Sequence, residues 1–333
     1  MTPALLTPGE TGPCPLLVVV GPTAVGKTDV AIELALRLDG EVLSADAMQV
    51  YRGLDVGTDK PSLQRQRGVP HHLLDIAEPE EPFSAVLYRE AALRALAGVR
   101  ARGKVAIVCG GTGLYLRAFV DDLVPPAAVH APEVRARLEA EAAAAGPEAL
   151  YRRLQAVDPE AAGRIHPANV RRVIRALEVY ESTGRPMSAL QAESRARARP
   201  LPAVWVGLTR PREELYRRID ERVDDQVRRG LVDETRRLLR RGLTRSHTAM
   251  QALGYKEMAG YLAGRESFAQ AVRRLKTATR HYARRQYTWF RPDRRIHWVD
   301  LSGFEGPADA AAHIAAWFAV RTGCRRLPPS AYT

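Results

Sequence analysis

The stretch LLVVVGPTAVGKTDVAIELALRL, residues 16–38, decides the fold. It opens with a continuous apolar run that ends at Val20 and is typical of a buried parallel strand. A helix with apolar residues at helical spacing is predicted over about residues 28–38. Between them, GPTAVGKT matches the pattern G-x-x-x-x-G-K-[ST], in the strand–loop–helix context of a phosphate-binding loop. We therefore predict that this loop holds a phosphate group, although the motif alone does not choose the ligand.

The residue types of this loop suit an anion. Its glycines permit a tight turn with inward N–H groups, and the following helix adds partial positive charge at its N-terminus. Lys27 supplies a mobile cation, and the hydroxyl of Thr28 can ligate Mg²⁺. The predicted phosphate-binding residues are Gly21, Pro22, Thr23, Ala24, Val25, Gly26, Lys27 and Thr28.

Strand and helix patterns alternate along the rest of the chain. The predicted strands cover residues 41–46, 71–76, 104–111, 203–210 and 294–300, and the predicted helices cover 84–102, 211–229, 231–241 and 266–290. This alternation predicts an α/β fold with a parallel sheet and helices on both faces. Residues 125–199 are rich in Ala, Arg and Glu and contain no good strand, so we predict a helical insertion domain. The α/β core would then consist of 1–124 and 200–323, with 324–333 as a tail.

Charge and composition bound the class of protein. The chain has 50 Lys and Arg against 38 Asp and Glu, and 23 against 12 between residues 210 and 300. This excess indicates either a surface for a polyanion or the solvated helix faces of an arginine-rich protein. No apolar run approaches the ~20 residues of a membrane span, and no secretory signal is recognisable, so a cytoplasmic protein is expected. The scattered Cys14, Cys109 and Cys324 argue against a disulfide framework or a zinc site.

Candidate site residues follow the predicted strands. Asp46 ends the second strand, where ligands of parallel sheets bind, and could hold Mg²⁺ through water, act as a general base or cap a turn. GGTGLY (110–115) would let the backbone approach a ligand, and Thr112 adds a hydroxyl. Arg218 and Arg222 are spaced to share a helix face, where they could clamp a diphosphate or form a solvated stripe.

The predicted helix 266–290 carries two stripes. One is apolar and predicted to enter the core: Phe268, Val272, Leu275, Tyr282 and Trp289. The other is basic and suits a phosphodiester backbone: Arg273, Lys276, Arg280 and Arg284. By contrast, His71 and His72 are neighbours on a strand and would point to opposite faces, so we predict a structural role for them.

Together these motifs resemble those of the tRNA dimethylallyltransferase family. The resemblance runs from about Leu16 to Asp300. The matching stretches, in the family's order, are GPTAVGKT, SADAMQVYRGLDVGTDKP, PHHLLDI, GGTGLYLRA, RIHPANVRRVIRALEVY, ALGYKEM and RRQYTWFR. A lone phosphate loop is typical of many nucleotide-binding and ATP-binding proteins, whereas this ordered set is far more specific.

The resemblance implies a P-loop kinase-like core and a prenyltransferase that uses Mg²⁺. Its loop would hold the diphosphate of dimethylallyl diphosphate, and its acceptor would be N6 of adenosine 37 in the anticodon stem-loop of tRNA. It implies catalytic roles for Asp46 as general base and for Arg222, Thr23 and Thr112, with Thr28 beside the metal. The tRNA-contacting residues that it implies are Asp46, Ala47, Met48, Gln49, Arg171, Arg172, Arg175, Gln251, Gly254, Tyr255, Lys256, Arg284, Arg285, Gln286 and Arg291, and the basic stripe adds Arg273 and Arg280 as predicted contacts.

Three alternatives share the loop and core: a small-molecule kinase, an adenylate prenyltransferase and an RNA-binding regulatory NTPase. The basic C-terminal region is unexplained by the first and unneeded by the second, and the third gives Asp46 no proton to accept. Ala47 departs from the family, which often has Ser after the general base. A monomer is expected, because bound tRNA would occupy much of the surface.

Overall fold

The structure is a computed structural model that describes residues 14–124 and 131–324. Its strands are β1 (Leu16–Val20), β2 (Gly40–Ser44), β3 (His71–His72), β4 (Val105–Cys109), β5 (Ala203–Thr209) and β6 (Ile296–Asp300). They form one parallel sheet in the order β3-β2-β4-β1-β5-β6. The predicted α/β class with a parallel sheet is therefore confirmed, and β1, which precedes the phosphate loop, lies between β4 and β5.

Helices join the strands. Numbered along the chain, they are α1 (Lys27–Leu38), α2 (Leu63–Gln66), α3 (Ala85–Ala101), α4 (Gly113–Phe119), α5 (Pro132–Ala145), α6 (Pro147–Val157), α7 (Pro159–Ala162), α8 (Val170–Thr183), α9 (Met187–Arg197), α10 (Arg212–Arg228), α11 (Leu231–Arg240), α12 (Tyr255–Leu262), α13 (Phe268–Phe290) and α14 (Pro307–Thr322). Short 3₁₀ helices cover Ala249–Gln251 and Leu301–Gly303. No described helix combines the length and the apolar character that a membrane span requires.

The described residues divide into two compact units. The first comprises those up to Leu116 and those from Leu201 onward, and it contains the sheet; the second runs from Arg117 to Pro200. The expected first boundary, after residue 124, thus falls inside the second unit. The predicted tail beyond Cys324 lies outside the described residues.

The core of the first unit surrounds the sheet. Every residue of β1, β2 and β4 is buried, because helices cover both faces of a parallel sheet. On one face, α1 and α14 pack together and join alternate strand residues such as Leu17, Val19 and Val206 in one apolar cluster. This core holds rigid the strand ends from which the loops of the candidate site emerge.

The second unit has a core of its own. In its described part it is helical, and leucines of α5, α6 and α8 meet in its centre. Two buried carboxylates tie its helices together. Asp158 accepts hydrogen bonds from the N–H of Ala161 and the hydroxyl of Ser188, at 2.9 and 2.6 Å. Glu178, at 0% exposure, pairs with Arg175 at 2.9 Å.

The predicted core stripe of α13 is largely wrong. Its buried residues are Ala271, Leu275, Thr279, Ala283, Gln286 and Phe290. Phe268 and Trp289 are 39% and 38% exposed. The apolar pattern failed because this helix buries small and polar side chains, among them Gln286 against the phosphate loop, and leaves Phe268 and Trp289 partly at the surface.

The prediction about cysteine pairing is also wrong, because Cys14 and Cys324 form a disulfide. The fold brings the segment before β1 beside the end of α14, which a sequence separation of 310 does not reveal. The structural role predicted for the histidine pair agrees with the structure: His72 lies 2.6 Å from Glu41, and Nδ1 of His71 lies 2.9 Å from the carbonyl oxygen of Val69.

Candidate active site

A cavity of about 280 Å³ lies beyond the carboxyl ends of β1, β2 and β4, within the first unit. Loops that leave the same edge of a parallel sheet converge there. The four side chains predicted to be catalytic, Thr23, Asp46, Thr112 and Arg222, all line it. The rest of the lining comprises Ala47, Met48, Gly57, Thr58, Gln226, Gln251, Ala252, Leu253, Lys256, Leu275, Thr279, Tyr282 and Arg285.

The phosphate loop has the backbone that its glycines allow. Gly21 has φ of 145°, and a Cβ there would lie 2.6 Å from the carbonyl oxygen of Leu208. Gly26, at φ 110°, ends the loop at the N-terminus of α1. Arg210 and Arg218 donate to the carbonyls of Val25 and Ala24, both at 3.0 Å. The loop is therefore braced from outside, which leaves its interior for an anion.

Lys27 is held inside this loop. Its Nζ donates to the carbonyl oxygen of Pro22 at 2.7 Å. Burial lowers the pKa of Lys27 to about 8, and the positive charge of Arg222 acts in the same direction. A phosphate beside the ammonium would favour its charged form and raise this pKa. The charge state of Lys27 is thus coupled to the binding of an anion.

Asp46 directly follows Ala45 after β2, and its two carboxylate oxygens differ in their surroundings. Oδ1 accepts the N–H groups of Met48 and Gln49 at 2.8 and 3.3 Å, as in an Asx-turn. Oδ2 accepts no hydrogen bond from the described residues, and the side chain lines the cavity. The turn and the catalytic interpretation are therefore compatible: one oxygen orients the carboxylate, and the other is available to a substrate.

Thr112 links this turn to α13. Its Oγ1 accepts the N–H of Ala47 at 3.0 Å, and it shares a hydrogen bond with Tyr282. Burial, followed by the negative charge of Asp46, raises the pKa of Tyr282 above its usual value. Tyr282 therefore remains a protonated phenol at the cavity wall, beside Asp46.

Gln286 fastens the phosphate loop to the turn after β4. Its Oε1 accepts the N–H of Thr23 at 2.8 Å, and its Nε2 donates to the carbonyl oxygen of Gly111 at 3.2 Å. A Cβ on Gly111 would lie 2.0 Å from that Nε2, so glycine is required for the close approach. Gln286 is 5% exposed and was predicted to contact tRNA. In this structure its amide is engaged inside the protein and has a positioning role instead.

Arg222 extends the site toward a second cavity. Its guanidinium donates to the carbonyl oxygen of Thr58 at 3.2 Å and lies 3.5 Å from the carboxylate of Asp59. The second cavity, of about 410 Å³, is lined by Lys27 and Thr28 and by arginines of α10, among them Arg222. Arg222 thus borders both cavities, which fits the diphosphate clamp better than a solvated stripe.

Some predicted tRNA contacts cluster at the first cavity. Ala47, Met48, Gln251, Lys256 and Arg285 line it together with Asp46. The guanidinium of Arg285 lies 5.7 Å from the ring centroid of Tyr282. Cations, backbone and an aromatic ring therefore line this cavity, as suits an unstacked RNA base.

The basic stripe of α13 is divided by ion pairs. Arg273, Arg284 and Arg291 are exposed and form no ion pair with the residues that the structure describes. Arg280 pairs with Asp220, and Lys276 pairs with Asp224 at 2.7 Å. The stripe therefore offers fewer free cations than its sequence suggests.

Three further predicted contacts have internal partners. Tyr255 is fully buried and donates to Glu234 at 2.6 Å. Gly254 is buried at the start of α12, with φ of 97°. The side chain of Gln49 is hydrogen-bonded to Ser44 and to the backbone of Thr58. These residues shape the site from behind rather than meeting a ligand in this conformation.

The remaining predicted contacts, Arg171, Arg172 and Arg175, belong to the second unit. All three lie in the first half of α8, where Arg171 and Arg172 are exposed and Arg175 pairs with Glu178.

Several lining residues escaped the sequence analysis. Tyr282 is predicted for the core, Thr58 lies in the motif stretch 44–61 without a predicted role, and Gln226 and Thr279 belong to no motif. The signal for Tyr282 and Thr279 was their spacing of three on one helix, which places them on the same face as Leu275, four residues earlier.

The residues beside Lys27 fit a magnesium ion that is shared with a ligand. Thr28 lines the second cavity, and its hydroxyl makes no hydrogen bond to the described residues. Within that part of the chain, no group of three His, Cys, Asp or Glu side chains could hold a metal. Mg²⁺ characteristically takes few protein ligands and completes its shell with phosphate oxygens and water, so the hydroxyl of Thr28 beside a bound phosphate would suit it.

Comparisons with known proteins agree with this geometry. A sequence model of the family described as IPP transferase matches residues 49–293. A tRNA dimethylallyltransferase from Thermomicrobium roseum is 52% identical over 288 residues, which cover 86% of this chain and 87% of that protein. One from Geobacillus kaustophilus is 50% identical over 285 residues, covering 86% and 90%.

Solved structures are similar over nearly the whole chain. The full-length tRNA isopentenylpyrophosphate transferase from Bacillus halodurans is 40% identical, with a TM-score of 0.66 and coverage of 93% of this chain and 97% of that one. A eukaryotic dimethylallyltransferase acting on tRNA is 29% identical, with a TM-score of 0.76 and coverage of 95% and 81%. On this evidence, the chain belongs to the IPP transferase family.

Proposed function

We propose that this protein transfers a dimethylallyl group from dimethylallyl diphosphate to N6 of adenosine 37 in the anticodon loop of tRNA, releasing diphosphate. The observation that carries the proposal is the make-up of the 280 Å³ cavity. It joins a residue of the phosphate loop and Arg222 to the free oxygen of Asp46. Met48, Ala252, Leu253 and Leu275 add apolar surface for a short hydrocarbon chain.

The leaving group is stabilised on the loop side. As the bond between the allylic carbon and the diphosphate oxygen stretches, the electron pair moves to the diphosphate. The N–H groups of the loop, Lys27 and Arg222 face that growing negative charge. We propose that Thr28 and the phosphate oxygens hold Mg²⁺, which supplies further charge stabilisation when bound.

The acceptor is activated on the opposite side. N6 of adenine is a weak nucleophile, so its proton must leave as the new N–C bond forms. Oδ2 of Asp46 takes that proton, while Oδ1 stays fixed by the N–H groups of Met48 and Gln49. The adenosine reaches this carboxylate only after it has left the stack of the anticodon loop.

The surroundings of the cavity favour an RNA acceptor over free adenylate. Arg284 and Arg273 project from α13 as exposed cations, and such groups set the register of a phosphodiester backbone. A free nucleotide would need none of them. We also propose that the protein acts as a monomer in the cytoplasm, where tRNA is its substrate and bound RNA would cover much of its surface.

The test is transfer of radiolabel from dimethylallyl diphosphate to an in-vitro tRNA transcript, with γ-labelled ATP in a parallel reaction. The proposal predicts label in the tRNA, abolished when adenosine 37 is replaced by guanosine, and no phosphate transfer. Label on free AMP would move the activity to an adenylate prenyltransferase. Phosphate transfer without prenyl transfer would mean a kinase, and RNA-stimulated ATP hydrolysis alone a regulatory NTPase.

A further inference from the structure

A buried carboxylate holds the chain segment that leads into the candidate site. Glu234 of α11 is 1% exposed. Its oxygens accept the N–H groups of three successive residues, Asp55, Val56 and Gly57, at 3.0–3.1 Å. Tyr255 donates a fourth hydrogen bond at 2.6 Å. Three convergent backbone N–H groups form a nest for an anion, and here the anion is a side chain of the protein itself.

The same segment is held from its other side. Gln226 of α10 is 4% exposed and donates to the carbonyl oxygens of Val56 and Gly57, at 3.1 and 2.9 Å. A Cβ on Gly57 would lie 2.5 Å from the ring of Tyr255, so the ring packs directly on the backbone. The peptide groups of this segment are thus fixed through both their donors and their acceptors, which leaves it little freedom to move.

The residues that directly follow this segment contact Arg222 and support the turn at Asp46. The carbonyl oxygen of the next residue, Thr58, accepts hydrogen bonds from Arg222 and from Gln49, both at 3.2 Å. Gln49 in turn donates its N–H to Asp46. The carboxylate of Asp59 faces the guanidinium of Arg222 at 3.5 Å. The position of residues 58 and 59 therefore decides where Arg222 points and how the turn at Asp46 is supported.

We propose that Glu234 is a positioning residue for the transfer reaction, acting through residues 55–58 on Arg222. It touches no part of the cavity itself. Its carboxylate sets the backbone of the segment, the segment sets the carbonyl of Thr58, and that carbonyl orients the guanidinium toward the diphosphate. This inference rests on the proposed function for the identity of the diphosphate donor, but its test does not require prenyl transfer.

The test is a double-mutant cycle on the binding of inorganic diphosphate in the presence of Mg²⁺, measured by titration calorimetry. Removing the charge-assisted contact in Arg222→Ala should weaken binding by roughly tenfold to a hundredfold. Glu234→Gln presents an amide N–H₂ to the backbone N–H groups, displaces the segment and should weaken binding by about tenfold. The double variant should bind no more weakly than Arg222→Ala, because Glu234 then has no guanidinium to orient.

The control is Asp233→Asn, which removes a negative charge from the adjacent residue of the same helix, where the side chain is 65% exposed. It should bind diphosphate as the wild type does. If Glu234→Gln does not fold, Glu234→Asp keeps the charge, shortens the reach and should show the same non-additivity with a smaller factor. Thermal unfolding of each variant separates a loss of stability from a loss of affinity in the folded protein.

Two results on the variants would overturn the inference: wild-type affinity in Glu234→Gln, or a double variant that loses the full product of the two single factors. A wild-type protein that failed to bind diphosphate would also overturn it, together with the proposed donor site. Diphosphate binding without prenyl transfer would contradict only the proposed function. In the transfer assay, Glu234→Gln should raise the KM for dimethylallyl diphosphate and leave the KM for tRNA unchanged, whereas a loss of folded protein would lower the apparent kcat alone.

Discussion

Replacing Asp46 by asparagine isolates the proton transfer from the architecture of the site. The amide oxygen of asparagine can still accept the N–H groups of Met48 and Gln49 that hold Oδ1 at 2.8 and 3.3 Å. The turn should therefore persist, and with it the hydrogen bond from the N–H of Ala47 to Thr112. What changes is the second oxygen, which becomes an N–H₂ group that cannot accept the proton of N6.

The expected loss of transfer rate follows from this single change. A positioned general base contributes about 10²–10⁴ in rate, so the transfer step should slow by that factor, or about 3–5 kcal/mol in activation free energy. Affinity for donor and tRNA should change by less than about threefold, because every observed contact of the turn is kept. Single-turnover kinetics with saturating enzyme measure the step, and tRNA binding is measured separately by filter retention.

The matched control is Asp39→Asn, the same substitution at a side chain that pairs with Lys104 outside both cavities. It should transfer at the wild-type rate. A transfer rate in Asp46→Asn within about fivefold of wild type would refute Asp46 as the general base.

Three other perturbations test separate parts of the structure. Bound diphosphate favours the charged form of Lys27, whose pKa is lowered to about 8. Diphosphate affinity measured from pH 7 to 10 should therefore be constant below pH 8 and fall above it, and a flat profile would contradict this. Arg102, first among its partners, holds the pKa of Glu41 at about 2, against 4.5 for the free side chain. The folded protein therefore gains stability above pH 4.5 that is lost as the pH falls toward 2, and chemical denaturation of Glu41→Gln should show a weaker loss over that range. Arg284→Ala should weaken tRNA binding and reduce its salt dependence by about one released counterion. Arg280→Ala should weaken tRNA binding less, because Asp220 already neutralises the charge of Arg280, and equal losses in the two variants would refute this difference.

Much of the fold could be predicted because its signals are local. A phosphate loop needs a strand before it and a helix after it, and an apolar strand flanked by helices belongs to a parallel sheet. Asp46 and Thr112 could be placed for the same reason, since Asp46 ends one predicted strand and Thr112 directly follows another. The role of Arg222 is predicted from the resemblance, because helix periodicity alone leaves both a diphosphate clamp and a solvated stripe open.

The failures concern contacts between distant parts of the chain. The burial of Gln286 depends on the N–H of Thr23, which is 263 residues away in sequence. In a periodicity analysis, a buried amide on a helix looks like a surface residue. The nest around Glu234 is invisible for the same reason: three N–H groups carry no side-chain signature, and one acidic residue on α11 looks like any solvated one. The disulfide between Cys14 and Cys324 arises only where the fold brings the two ends together.

The most direct test of the proposed prenyl transfer is a nucleoside analysis of tRNA after incubation with this protein, Mg²⁺ and labelled dimethylallyl diphosphate. The tRNA is cut into fragments, the labelled fragment is sequenced, and its nucleosides are separated by chromatography with mass detection. The proposed reaction predicts a single labelled nucleoside, adenosine carrying the five-carbon group on N6, at position 37. Label at another base, or tRNA that stays unlabelled while the protein phosphorylates a substrate from ATP, would contradict it.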